Sequence, residues 1–571
     1  MLKFLLTSLF IHQTLSNTIH KRDVGDFEFL ILHNNDMHAR FEETRESLGG
    51  RLVGGFARTS YLIQEARNAS NEGRGPPVLY LNAGDTYTGT VWFTVHKDKI
   101  ATDFMNALMP DAMSFGNHEF DNGVKGVIPF LENIKFPLIA SNLDLSKEPQ
   151  LKNLVQKSII LNLHGRKIGI IGYVTPETRL MSSVGSIGFN DEIQSVRKEA
   201  ERLTKEGINI IIALGHSGFK MDKKIAKEVK EVDIVIGGHT NTFLWNGVEP
   251  DKEKAEDAYP AEVVQKSGKI VPVVQAYAYT KYLGKLSVNF DRNGVLKTFR
   301  GQPIFIDESV PQDPQVLKLL DKYRPDIIAL NTTMIGKTKV FLEGDTCRER
   351  ECNFGNLAMD AFINYRSSRY QGLYWTDTAI ALMNSGSIRQ SINSTLRDHQ
   401  VYKADILGSL PFGQLLYLIE LKGEDLLKSL EIGARSNGET SKGEFLLTSG
   451  LKVEYNFKKP VGNRVISVKV RCAACDVPSY SPISKNEYYR IITTLFLVKG
   501  GDGHSIIRDK PRNYIPLDAV EAEAVIEYFQ TVNVVTPELD ERTRIVMGSS
   551  KGVKFDYNLF VVVIGLVLNC F

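Results

Sequence analysis

The tightest constraint on this chain is a set of five short apolar runs, each ending in residues able to hold a metal ion. They are Phe29-Leu-Ile-Leu-His-Asn-Asn-Asp-Met-His38, Val78-Leu-Tyr-Leu-Asn-Ala-Gly-Asp85, Asp111-Ala-Met-Ser-Phe leading into Gly116-Asn-His-Glu-Phe-Asp121, Ile211-Ile-Ala-Leu-Gly-His216 and Val235-Ile-Gly-Gly-His239. Short apolar runs bounded by turn residues read as buried strands. In layered α/β folds the loops leaving such strands are the usual place for a site. A lone Asp or His at a strand end is ordinarily structural, but five in one region are not. The donors are Asp36, His38, Asp85, Asn117, His216 and His239. Carboxylate, amide and imidazole groups suit hard or borderline divalent ions. This is too many for one tetrahedral zinc and fits two ions sharing a bridging carboxylate. His118 is left over. Asp121 follows closely enough to hold its second ring nitrogen and fix its tautomer, as a catalytic histidine requires.

Length sets the frame for the rest. A chain of 571 residues is too long for one core, and two domains are expected. Basic and acidic residues nearly balance, 69 against 67, which excludes the concentrated basic face of a nucleic-acid binder. Helices are expected over Gly55 to Ala69 and Ser195 to Gly207. Two strands joined at His164-Gly165 form a hairpin, and a further strand covers Ile208 to Leu214. Residues 270 to 300 alternate as β structure and close the first domain. Val316 to Ala329 has helical spacing, with Pro325 placed to kink or end it. Asn353 to Ala361 reads as a capped helix start, and Gly386 allows a turn exposing Asn384 and Arg389. Pro411-Phe-Gly413 and Phe496 to Gly503 set two aromatics beside glycine turns. An isolated Phe is more often core than ligand site.

The order of the metal motifs resembles the calcineurin-like metallophosphatases. From about residue 28 to the C-terminus the chain resembles the ecto-5′-nucleotidase and apyrase family. The matching positions are Asp36, His38, Asp85, Gly-Asn117-His118-Glu, Gly-His216 and Gly-Gly-His239-Thr-Asn241. The resemblance implies an α/β protein: a four-layer αββα metallophosphatase domain at 24–310, a linking helix at 311–335 and a second α/β nucleotide-binding domain at 336–547. It implies one ion on Asp36, His38 and Asp85 with Asn241 nearby. The other would lie on Asp85, Asn117, His216 and His239, with zinc favoured for both. His118, oriented by Asp121, would stabilise the transferring oxygens or protonate the leaving oxygen. Phe412 and Phe496 would clamp the base, Asp502 would accept from both ribose hydroxyls, and Asn384 would lie near the base. Arg348 and Arg389 would grip phosphate, Asn117 would also meet substrate, and Arg40 is a further candidate contact. The implied activity is extracellular hydrolysis of nucleoside 5′-monophosphates, AMP preferred. The alternative is apyrase-like hydrolysis of ATP and ADP to AMP. A non-catalytic binding protein is disfavoured because every ligand position is filled.

The termini read as targeting segments. Residues 1–22 have a basic start and a short apolar run, as a signal peptide does. Residues 548–571 join small residues, a polar spacer and a greasy tail, the parts of a GPI-attachment signal, with Ser549 or Ser550 as the attachment point. The expected location is the outer face of the plasma membrane, or secretion as the alternative. Asn68, Asn331 and Asn393 begin glycosylation sequons. Loss of the tail would remove Cys570 and leave Cys347, Cys352, Cys472 and Cys475. An even number in an exported chain suggests two short disulfides, Cys347–Cys352 and Cys472–Cys475, although Cys472-Ala-Ala-Cys475 alone also reads as half a zinc site or a redox pair. The remaining partners expected are a nucleotide and, as one option, a second copy docking through the C-terminal domain.

Overall fold

The computed structural model describes residues 26–45, 50–436 and 443–546. The segments expected to be a signal peptide and a GPI-attachment signal, with Ser549 and Ser550, lie outside the described residues. Two sheets form the centre of the first half. One runs Leu296–Gly301, Tyr282–Phe290, Phe27–Asn34, Val78–Asn82, Ala112–Ser114, Leu138–Ile139. The other runs Ala261–Val264, Ile270–Val274, Ile234–Ile236, Ile211–His216, Arg166–Val174, Ser158–Leu163.

The alternation of side chains along a strand builds the layers. Phe29 and Ile31 turn inward between the sheets, among Leu79, Leu81, Ile171 and Ala213. Leu30 and Leu32 turn the other way, onto Phe56, Phe104 and Phe130 of the helices Phe56–Asn71, Val91–Leu108 and Gly123–Asn133. Helices Glu192–Lys205 and Phe219–Glu228 cover the far side of the second sheet. The result is the four-layer αββα arrangement implied by the resemblance.

Local chemistry decides the element ends. The hairpin turn forms as expected, His164 and Gly165 both being left-handed, at φ 49° and 84°. The helix expected from Ser195 starts earlier, at Glu192, because the Asp191 carboxylate accepts the Gln194 N–H at 2.9 Å and caps it. The strand expected from Ile208 begins at Ile211. The helix Pro314–Thr332 runs through Pro325 rather than ending there. Losing one backbone bond and accommodating the ring costs about 3 kcal/mol. Val316, Leu320, Tyr323 and Ile327 are buried in one stripe across the proline, at about 1.5 to 3 kcal/mol per apolar side chain. The stripe therefore outweighs the proline, and it fastens this helix to the first half's core.

The second half centres on a five-stranded sheet, Leu446–Ser449, Ile380–Asn384, Tyr488–Thr494, Leu415–Lys422, Tyr514–Val520. Helices Asn353–Ser367 and Glu521–Val532 pack together beside it. Asn353 does not cap its own helix. Its amide joins Glu343 N and Phe341 O instead, at 2.8 Å each. Both expected disulfides, Cys347–Cys352 and Cys472–Cys475, are formed. Asn68, Asn331 and Asn393 are exposed. Helix Lys403–Ser409 of the second half lies against Val91–Leu108 and Pro314–Thr332 of the first.

Candidate functional site

The parallel strands Phe27–Asn34 and Val78–Asn82 end in register, Asn34 opposite Asn82. Their exit loops, with those after Ala112–Ser114, Ile211–His216 and Ile234–Ile236, meet where the two sheets converge. The donors there sit in costly backbone. Asp36, His38, Asp85, His239 and Asn241 all have positive φ, at 50°, 46°, 56°, 82° and 52°. Left-handed backbone costs a non-glycine residue about 1 to 2 kcal/mol, and such strain gathers at functional sites. Hydrogen bonds between the loops hold it. Asp36 N donates to Gly84 O and His38 N to Asp85 O, both at 3.0 Å. His239 N donates to Asp36 Oδ2, and His118 N to Asp85 Oδ1, both at 2.9 Å. Two glycines permit the approach. A Cβ on Gly116 would stand 2.1 Å from Asp85 Oδ1, and one on Gly238 would stand 2.8 Å from His216 Nδ1.

The side chains converge as two clusters sharing Asp85: His38, Asp85 and His118, and Asp85, His216 and His239. His38 Nδ1 faces Thr88 O at 3.0 Å, and His216 Nδ1 faces Ala83 O at 2.7 Å. Those carbonyls need a proton on Nδ1, so Nε2 is the nitrogen turned into the centre, where the neutral ring would offer its lone pair to an ion. His216 Nε2 lies 2.9 Å from Asp85 Oδ2 and 3.8 Å from Asp36 Oδ1. His38 Nε2 lies 3.7 Å from Asp36 Oδ1 and 3.9 Å from Asp85 Oδ2. Asp36 Oδ1, Asn117 Oδ1 and Asn241 Oδ1 are buried without a hydrogen-bond partner. Buried polar atoms are normally paired, so three such oxygens on the loops of one site point to a ligand. Burial, with Asp85 adding to it, pushes Asp36 up to about 6. Burial opposes charge on His216, yet Asp85 and Asp36 hold its pKa up to about 10. Two buried carboxylates thus draw positive charge inward, and the donor set fits divalent ions.

His118 stands at the edge of this centre, its Nε2 4.0 Å from Asp85 Oδ2. Its Nδ1 meets Asp121 Oδ2 at 2.7 Å, and Ser182 Oγ donates to Asp121 Oδ1 at 2.8 Å. Burial opposes its charge, but Asp121 and Asp85 win, and the imidazole pKa lies above its ordinary value. The His118 ring lies 6.1 Å from that of Phe412 at an interplanar angle of 25°, so the second half reaches directly over the first.

The second-half candidates fall into two groups. Arg389 lies over Phe412 at 5.9 Å. Arg40 stacks on Tyr279 at 5.2 Å and points to Gln390 of the second half at 3.5 Å. Burial, then the charge of Arg389, makes the Arg348 cation costlier to hold, and Arg40 feels the same two influences. Three guanidiniums crowded in this way suit an anion. The other group is Asn384, whose Nδ2 donates to Asp502 Oδ2 at 2.9 Å, with Phe496 packed on Gly501 beside it. Burial and Glu444 push Asp502 up to about 6.

Sequence reasoning missed the supports. Glu119 is fully buried and accepts backbone N–H groups from Gly116, Thr86 and Asp85 at 2.6, 2.7 and 3.0 Å, tying the Asp85 loop to the His118 loop. Asn35 donates to Asp36 Oδ2 and Tyr277 O, at 2.7 and 2.6 Å. Adjacency to a ligand was the only available signal, and it does not say which way a side chain turns. Glu119→Gln would put an amide NH2 against donors. One unsatisfied buried donor costs about 1 to 3 kcal/mol. Calorimetry should show Tm falling by about 2 to 4 °C for each kcal/mol lost, together with weaker metal retention. An unchanged Tm would show that the loops hold without it.

A family model described as calcineurin-like phosphoesterase matches residues 29–243, and one described as 5′-nucleotidase, C-terminal domain, matches residues 334–509. The chain is 40% identical to a Homo sapiens 5′-nucleotidase over 537 residues, 92% of each protein. It is 38% identical to an apyrase of Tabanus yao over 550 residues, 93% of this chain and 97% of that one. Among solved structures it resembles a 5′-nucleotidase precursor from Thermus thermophilus, with TM-score 0.83 and 32% identity over 92% of this chain and 100% of that one.

Proposed function

The chain belongs to the 5′-nucleotidase family of calcineurin-like phosphoesterases, and from that premise we propose that it hydrolyses nucleoside 5′-monophosphates, AMP foremost, outside the cell. One juxtaposition carries the reading. Two clusters able to hold metal share Asp85, His118 belongs to one of them, and the His118 ring faces Phe412 from the other half.

Asp36, His38, Asp85, Asn117, His216 and His239 would hold two divalent ions, zinc by their imidazole content, with Asn241 alongside. Such a pair supplies Lewis acidity toward phosphoryl oxygens and lowers the pKa of water. The chain's own groups do the rest. Arg348, Arg389 and Arg40 bind and orient the phosphate, their forked donors matching its oxygens. His118, held by Asp121, is placed to give a proton or a hydrogen bond from Nε2. Phe412 and Phe496 stack the base, Asn384 meets it, and Asp502 takes the ribose hydroxyls.

Stacking tolerates any base, so ribose and phosphate number carry the selectivity. Deoxy-AMP loses one bond to a charged acceptor, about 1.5 to 3 kcal/mol or roughly tenfold to a hundredfold in kcat/KM. Asp502→Ala should close that gap. The governing test compares kcat/KM for AMP and ADP. AMP hydrolysed well, with ADP bound but barely cleaved, supports the monophosphatase. The second reading, cleavage of ATP and ADP to AMP, is favoured by the apyrase aligned along nearly the whole chain. ADP turned over as well as AMP would establish it.

We further assign residues 24–310, 311–335 and 336–547 as metal domain, linking helix and nucleotide domain, with a second copy docking through the last. Among the described residues no helix is long and apolar enough to cross a membrane. Attachment through the segment 548–571 predicts release from cells by phosphatidylinositol-specific phospholipase C. Retention of an uncleaved tail would mean a different anchor. Sugars on Asn68, Asn331 and Asn393 belong to the same reading.

A further inference from the structure

Ser182 is the outer end of the hydrogen-bonded chain Ser182–Asp121–His118. It also lines a cavity of about 600 Å³ between the two halves. The wall carries Lys125 and Arg179 from the first half and Lys499 from the second. All three are exposed, and none forms an ion pair or hydrogen bond through its side chain among the described residues. One acid, Glu148, shares the wall, and both its oxygens already accept, from Ser186 N and Gln150 Nε2. The helix Gly123–Asn133 also begins here, and no side chain caps it. Three cations against one engaged acid leave a concave wall of positive potential, which concentrates anions.

We propose that this cavity is a second anion site, separate from the metal centre, for a tetrahedral oxyanion of the phosphate or sulfate kind. Its cations come from both halves, so an ion bound there favours the arrangement in which Phe412 lies against His118. Through Ser182 the same ion bears on the group that orients His118. If the chain is the nucleotidase proposed above, its own product phosphate is the nearest source of such an ion. Occupancy would then act on His118 through Ser182 and Asp121 and slow turnover.

Sulfate is the first probe and orthophosphate the second, both on the metal-loaded protein at constant ionic strength. An anion acting only at the metal centre competes with AMP and raises KM alone. An anion in the cavity also lowers kcat at saturating AMP, by about fivefold for a typical coupling. The paired substitution Lys125→Gln and Lys499→Gln should abolish the kcat effect and leave the KM effect. Ser182→Ala should keep anion binding and lose the kcat effect. Sulfate should also raise the melting temperature of the metal-loaded protein, less so in the paired variant. That readout needs no turnover, so it stands even if AMP proves not to be the substrate. Phosphate acting at lower concentration than sulfate identifies the product as the natural ligand. A wild-type kcat and melting temperature insensitive to both anions, or effects that survive the paired substitution, would overturn the proposal.

Discussion

Asp85→Ala will lower phosphate release by about a thousandfold or more, because a bound ion pair contributes several kcal/mol of transition-state stabilisation. Asp85 is the one residue common to both metal-ligand clusters of the described chain. Its Oδ2 lies 2.9 Å from His216 Nε2, 3.9 Å from His38 Nε2 and 4.0 Å from His118 Nε2. Its Oδ1 accepts the His118 N–H at 2.9 Å. Among the described residues no other side chain belongs to both clusters. Stability should fall with it. Burial opposes charge on Asp85, yet His216, His118 and His38 hold its carboxyl well below the ordinary range. A carboxylate depressed in the folded state stabilises that state at neutral pH, and its loss also leaves the His118 N–H without its acceptor, so metal-free Asp85→Ala should melt lower than the metal-free parent. Metal analysis beside kinetics and calorimetry checks both halves. A variant that keeps two ions and most of its rate would remove Asp85 from the bridging position.

His118→Ala should keep both ions and lose about a hundredfold to ten-thousandfold in rate. Its Nδ1 is taken by Asp121 at 2.7 Å, and its Nε2 is free to face substrate. The ring also stands in a cluster with His38 and Asp85, so loss of one ion in the variant would make it a ligand instead. Leaving groups separate its two remaining roles. A proton donor matters little when the departing group is a good one such as nitrophenolate, so the defect should then shrink. A group that only stabilises phosphoryl charge is needed equally for both, and the defect should persist. Asp121→Asn should reproduce part of the loss without changing metal content.

The candidate donors were legible because each closes an apolar run. A short run buried on both faces and bounded by turn residues reads as a strand, and parallel strands of one sheet end at one edge. That places Asp36 with Asp85, whereas His216 leaves the other sheet and meets them only because the two sheets pack together. The supports were not legible. Glu119 and Asn35 act by pointing inward beneath a loop, and direction depends on backbone that only the assembled fold sets. The expected helix forms and Pro325 does not end it, for an energetic reason: a local rule about one hydrogen bond met a stripe of four buried side chains. The meeting of Phe412 with His118 is of a third kind. It joins residues far apart in the chain and in different halves, and no local pattern encodes it. Resemblance supplied the roles of the second-half residues, where a phenylalanine beside a glycine turn reads as core by itself.

Gly116 and Gly238 carry a consequence for how this protein can vary. Neither residue offers a functional group, and a map of importance drawn from contacts with substrate would leave both blank. Yet the smallest side chain, a single methyl, would collide with Asp85 at one position and His216 at the other. A ligand can sometimes be exchanged for another donor at some cost in affinity. A missing Cβ has no conservative replacement. Variation is therefore constrained at two places with no chemistry of their own, and a redesign aimed at new substrates must leave them alone even while it rewrites the residues around them.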